Sequence, residues 1–133
     1  MPNNITFNNK LIAILINKNE LKKSKGVEFF TNKKLPFQLA SMKHVKGHNI
    51  IPHRHNNFLR KIYSTSECLF VIKGLIKVNF YNKQNKIFKN VKVSSGEIII
   101  FFDGAHGFEI KKNSHFIELK QGPYLKNMDK KFF

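Results

Sequence analysis

Along most of the chain, apolar and polar positions alternate over short stretches that end in turn-forming residues. The clearest stretch is 75–81, where Ile76, Val78 and Phe80 fall on one face and Lys77, Asn79 and Tyr81 on the other. That period of two is the signature of a half-buried strand. A polar turn over 82–86 separates it from 87–93, its expected hairpin partner. Ser94, Ser95 and Gly96 turn the chain into 97–102, whose four central apolar residues predict a strand buried on both faces. Further strands are predicted at 27–31, 37–45 and 67–73, and at 106–111 and 115–120, with breaks at Gly74 and at Lys112, Asn113 and Ser114. In the first 26 residues, 11–16 reads as a possible strand and 20–25 as one helical turn or a loop. There is no repeat and no sustained helical period after residue 26. Many short strands with regular turns predict an all-β sandwich or barrel.

A chain of 133 residues has room for one domain with one core, and 14 phenylalanines help to fill it. The expected division is a barrel over about 27–124 with 1–26 as an N-terminal extension. The longest aliphatic run, 11–16, falls far short of the roughly 18 residues a membrane helix needs. Cys68 is the single cysteine, so no intrachain disulfide forms and a reducing compartment, the cytoplasm, is expected. The formal charge of +16 suggests a phosphate binder at first. However, only Arg54 and Arg60 are arginines, and the lysines are spread singly and in pairs. Recognition of phosphates and bases favours clustered arginine, so a solvated Lys-rich surface is the preferred reading and nucleic acid is not an expected partner.

Of six histidines, only His53 and His55 have the spacing of a ligand pair. On a strand, positions two apart project from one face, where two imidazoles can share a metal ion. Two surface histidines would give the same string. Around the pair, Gly47 lies six residues before His53, Pro52 precedes it directly, and Glu67 lies seven residues before Gly74. Gly96 opens a strand ending in Asp103, Gly104, Ala105 and His106. This arrangement resembles the two motifs of the cupin superfamily. It differs in the eleven residues between His55 and Glu67, in Phe102 replacing a proline, and in His106 following Gly104 one residue early. The segments Glu28-Phe29-Phe30-Thr31, Gly104-Ala105-His106-Gly107-Phe108-Glu109 and Glu118-Leu119-Lys120-Gln121-Gly122-Pro123-Tyr124 extend the likeness to small single-domain bacterial cupins over about 27–133.

The resemblance implies a double-stranded β-helix, or jelly-roll barrel, that pairs as a homodimer. It implies a divalent metal (Zn, Fe, Mn or Ni) on His53, His55, Glu67 and His106, with His53, His55 and Glu67 as the catalytic residues. Three histidines and a carboxylate with open positions are a catalytic type of set. The expected ligand is a small polar or anionic metabolite such as a sugar or nucleotide-sugar derivative, and the expected reaction is isomerisation or epimerisation. An Fe-dependent dioxygenase and a non-enzymatic carbohydrate- or carboxylate-binding module are the alternatives. Arg60, Lys120, Gln121 and Tyr124 are the expected ligand-binding side chains. Cys68, one position from Glu67, should point to the opposite face as a buried, inert thiol. His115 reads as exposed, and His44 and His48 flank a turn with no nameable partner.

Overall fold

A computed structural model describes residues 2–133. The chain opens with a hairpin of β1 (Asn3–Phe7) and β2 (Lys10–Ile16). Its two-residue turn is Asn8-Asn9, with φ of 50° and 62°. Asparagine tolerates that left-handed backbone better than other side-chain-bearing residues, and it suits a tight hairpin. Asn17 then caps α1 (Lys18–Lys23): its side chain accepts from Asn19 N and Glu20 N, and the Glu20 carboxylate accepts from Asn17 N. A separate two-stranded arm follows, β3 (Gly26–Phe29) with β4 (Ala40–Lys43). Beyond it come β5 (Glu67–Tyr81), β6 (Ile87–Ser94), β7 (Ile98–Phe101) and β8 (Ala105–Lys120).

The main sheet is antiparallel, in the order β1-β2-β7-β5-β6, with β8 also on β5. β5 is its spine. One edge pairs with β8 from Glu67 opposite Lys120 to Tyr81 opposite Ala105. The other edge pairs first with β7 and then with β6. The switch falls at Gly74, where φ is +100° and an added Cβ would lie 2.3 Å from Ser114 Oγ. Only glycine suits both that conformation and that close approach. Bonds from Ser95 N to Gly74 O, Gly96 N to Val71 O and Val71 N to Glu97 O hold the corner.

The bend folds the two halves of the sheet toward each other. Phe80 from β5 meets Phe101 from β7 at 6.0 Å between centroids, and Phe7 from β1 meets Phe88 from β6 at 4.5 Å. Ile5, Ala13, Leu69, Val71, Ile76, Val78 and Ile99 complete this inner core. A second cluster lies on the other face of β2, β5 and β7, where Ile14, Ile16, Cys68 and Ile100 pack with Phe102. Leu21 of α1 and Phe30, Leu35, Phe37 and Leu39 from the arm region pack against it.

The all-β expectation holds, and 97–102 is buried on both faces as predicted, with Ile99, Ile100 and Phe101 at 0–1% exposure. Two expected breaks are not breaks. The stretches 67–73 and 75–81 are one strand, and so are 106–111 and 115–120, because Gly74 and residues 112–114 form irregularities within a ladder rather than turns. The N-terminal stretch expected to lie outside the barrel supplies Ile5, Ala13 and Ile16 to the core. Among the described residues, no helix is long and apolar enough to cross a membrane.

Candidate functional site

Alternation along β5 turns Glu67 toward the inner face with Leu69 and Val71, and sends Cys68 to the opposite cluster. There burial pushes the Cys68 thiol up to about 11, which keeps it protonated and unreactive, as expected. His106, second residue of β8, sits opposite Phe80. Its Nε2 lies 3.4 Å from Glu67 Oε1. The imidazole stacks on Phe101 at 4.3 Å and on Phe108 at 5.3 Å, which fixes the plane of the ring. His106 Nδ1 is buried without a hydrogen-bond partner.

These groups line a cavity of about 890 Å³. Glu118, from the far end of β8, lines it as well. The His106 contact holds Glu67 down at about 2, against the opposing effect of burial. Glu118 is shifted upward, chiefly because it shares a hydrogen bond with Glu67, and burial adds to this. Two like charges so close do not ionise independently. The C-terminal residues Asp129 to Phe133 form another wall. Lys120 anchors that wall by pairing with Asp129 at 2.9 Å, and Phe133 meets Tyr81 edge-on at 5.3 Å. Asp103, at the rim, is paired with Lys10.

The structure brings Glu67 and His106 together and places His53 and His55 elsewhere. Residues 44–66 have no regular secondary structure, so the pair is not on a strand. Both rings are exposed, 5.2 Å apart and edge to face. His53 Nδ1 donates to Ile51 O at 2.9 Å, which leaves Nε2 as the free ring nitrogen. Among the described residues, no three His, Cys, Asp or Glu side chains stand close enough to hold an ion. The four expected ligands form two separate pairs that do not fit a metal as arranged, and no reaction step is assigned to one.

The expected ligand-binding side chains make other contacts. Arg60 lies 3.6 Å over the Phe58 ring. Gln121 Oε1 accepts from Ser66 N at 2.9 Å, tying the end of β8 to the start of β5. Tyr124 is exposed, with Lys120 Nζ 5.5 Å from its ring. The sequence reading missed Phe101, Phe108, Glu118 and the C-terminal wall as cavity residues. Phe116, Glu118 and Lys120 alternate onto one face of β8, and that face brings Glu118 into the cavity wall. No protein-family model, curated protein or solved structure matches this chain.

Proposed function

We propose that this chain is a cupin-like domain that binds a small polar or anionic metabolite in the cavity around Glu67 and His106. There it moves a proton on the metabolite, as a sugar isomerase or epimerase does. The observation that carries the reading is the pairing of the His106 imidazole with the Glu67 carboxylate beside a cavity large enough for a sugar derivative. The Glu67–His106 pair can take up and return a proton on the cavity side, at the Glu67 carboxylate and the His106 Nε2 beside it, while His106 Nδ1 stays buried. Phe101 and Phe108 hold the ring in place, and Glu118 offers a second carboxyl group in the same wall. The bend at Gly74, which turns the sheet back over its own inner face, is the geometry from which a jelly-roll barrel would be built.

Ligand-observed NMR against sugar phosphates and nucleotide sugars tests the binding. Deuterium uptake from D2O at the carbon beside a sugar carbonyl tests the proton transfer. The expected result is binding and exchange in the wild type, with exchange lost in His106→Ala and the β fold kept. If His106→Ala exchanges deuterium as fast as wild type, the acid–base assignment fails.

A further inference from the structure

We propose that the exposed segment 44–63 is a docking surface for a lipid membrane with negatively charged headgroups, centred on Phe58, Leu59, Arg60, Lys61, Ile62 and Tyr63. Every residue from 42 to 63 is exposed, and none from 44 to 66 belongs to a strand or helix. Large apolar side chains are nevertheless frequent there: Leu59 is 83% exposed and Tyr63 94%, and Ile50, Ile51, Phe58 and Ile62 are exposed as well. The whole chain presents 10403 Å² to solvent. A compact monomer of 15.6 kDa is expected to present about 7,250 Å². An apolar surface left open on that scale marks an interaction site.

The charge identifies the partner. No Asp or Glu occurs between Glu28 and Glu67, and the charged residues of 44–63 are Lys46, Arg54, Arg60 and Lys61. At a formal charge of +16, a second copy of the chain is repelled and an anionic surface is attracted. Among anionic partners, the aliphatic side chains discriminate. Ile50, Ile51, Leu59 and Ile62 offer nothing on which a base can stack, so a nucleic acid would leave them uncovered. A folded acidic protein would need a surface of fixed shape opposite it, and this segment has no strand or helix to provide one. A headgroup layer requires only apolar side chains beside cations.

Residues 58–63 meet that requirement as they stand. Two apolar pairs, Phe58-Leu59 and Ile62-Tyr63, flank Arg60 and Lys61. The Arg60 guanidinium lies 3.6 Å over the Phe58 ring, so cation and ring form one unit. Apolar groups of this kind enter the boundary between headgroups and acyl chains, while the cations reach back to the lipid phosphates. The backbone here has no strand ladder or helix to satisfy it. Its N–H and C=O groups stay hydrated, so the segment lies in the headgroup layer rather than in the hydrocarbon. None of residues 58–63 lines the cavity, so the docking is separate from the proton transfer assigned there.

Co-sedimentation with phosphatidylcholine vesicles, with and without phosphatidylglycerol, reads the partition. The expected result is binding that requires phosphatidylglycerol and weakens as NaCl is raised. Arg60→Gln/Lys61→Gln should lower the partition coefficient about twentyfold. Leu59→Ser/Tyr63→Ser should lower it about tenfold or more. Lys89→Gln/Lys92→Gln removes the same charge from exposed positions of β6 and should change it by less than about threefold. Thermal melts should match wild type in all three variants, because each change is at an exposed side chain. Failure to bind the phosphatidylglycerol vesicles overturns the proposal, also where the protein binds RNA instead. So does an equal loss in Lys89→Gln/Lys92→Gln, which would reduce the attraction to net charge. Binding unchanged in Leu59→Ser/Tyr63→Ser overturns it too. The NMR and deuterium measurements on the cavity stand or fall separately.

Discussion

The layer of β2, β7 and the first half of β5 and the segment 44–66 are both rich in large apolar residues, yet they meet opposite fates. In the layer, Leu69 and Ile99 go inward, Ile14 and Ile100 outward, and all four are buried. In the segment, Val45, Ile51, Leu59 and Tyr63 are more than 80% exposed. Hydrophobicity does not separate them. The difference is partnership: each strand of the layer has a ladder on at least one edge and a covering group on each face, whereas the segment has neither. Apolar side chains are buried only where the backbone that carries them has its own hydrogen bonds satisfied.

The strongest test of that contrast is a truncation inside the layer. Ile99 is fully buried between Leu15 and Leu69 in the ladder register. Ile99→Ala is expected to cost about 2–5 kcal/mol, the range for a large-to-small change in a packed core. Urea unfolding followed by circular dichroism measures it. A loss below about 1 kcal/mol would mean that the layer is loosely packed and that the contrast with 44–66 is one of degree.

A smaller effect is expected at the cavity, where Glu67 and Glu118 respond to acid in opposite senses. Glu67 is held at about 2 rather than the ordinary 4.5. Its ionised form therefore supports the fold, fully above about pH 4.5 and progressively less as pH falls toward 2. Glu118 is raised, mainly by Glu67. Its ionisation opposes folding at neutral pH, and acid relieves that opposition as pH falls through the raised value. Glu67→Gln should lower stability at pH 7 by about 1 kcal/mol and flatten the acid limb of the stability profile. Glu118→Gln should raise the melting temperature at pH 7, with the gain vanishing in acid. Thermal melts from pH 3 to pH 8 decide it. Equal shifts of the same sign in both variants would show that the two carboxylates do not share a site.

The two regions also differ in how much of them could be read from the sequence. The layer was legible because each of its residues follows a period of two or an unbroken apolar run, and Cys68 opposite Glu67 follows from the same alternation. Gly74 was legible as a special position but not as a bend. A positive φ serves a turn or a bulge equally well, and only the approach of Ser114 distinguishes them. His53 and His55 two apart would share a face on a strand, but spacing does not create a strand. Residues 49–66 hold Pro52, three asparagines and no sustained alternation, and no edge of the sheet pairs with them. Of the expected metal set, Glu67 and His106 meet because the bend folds one half of the sheet over the other. The approach of Phe101 to His106 is likewise long-range, and nothing local encodes it.

The smallest expected effect belongs to the exposed segment. Phe58 is 64% exposed, and its ring contact in the fold is with Arg60, two residues away. An exposed cation–π pair is worth about 0.5–1 kcal/mol. A pair so close in sequence also forms part of the time in the unfolded chain, which removes most of that value from the folding equilibrium. Phe58→Ser should therefore leave the unfolding midpoint within about 0.5 kcal/mol of wild type. It makes as large a change in side-chain polarity as any in the core, with almost none of the consequence. A loss of about 2 kcal/mol or more in the same urea titration would put Phe58 inside a packed environment. Residues 44–66 would then be folded against the sheet in solution, and the contrast between the two regions would disappear.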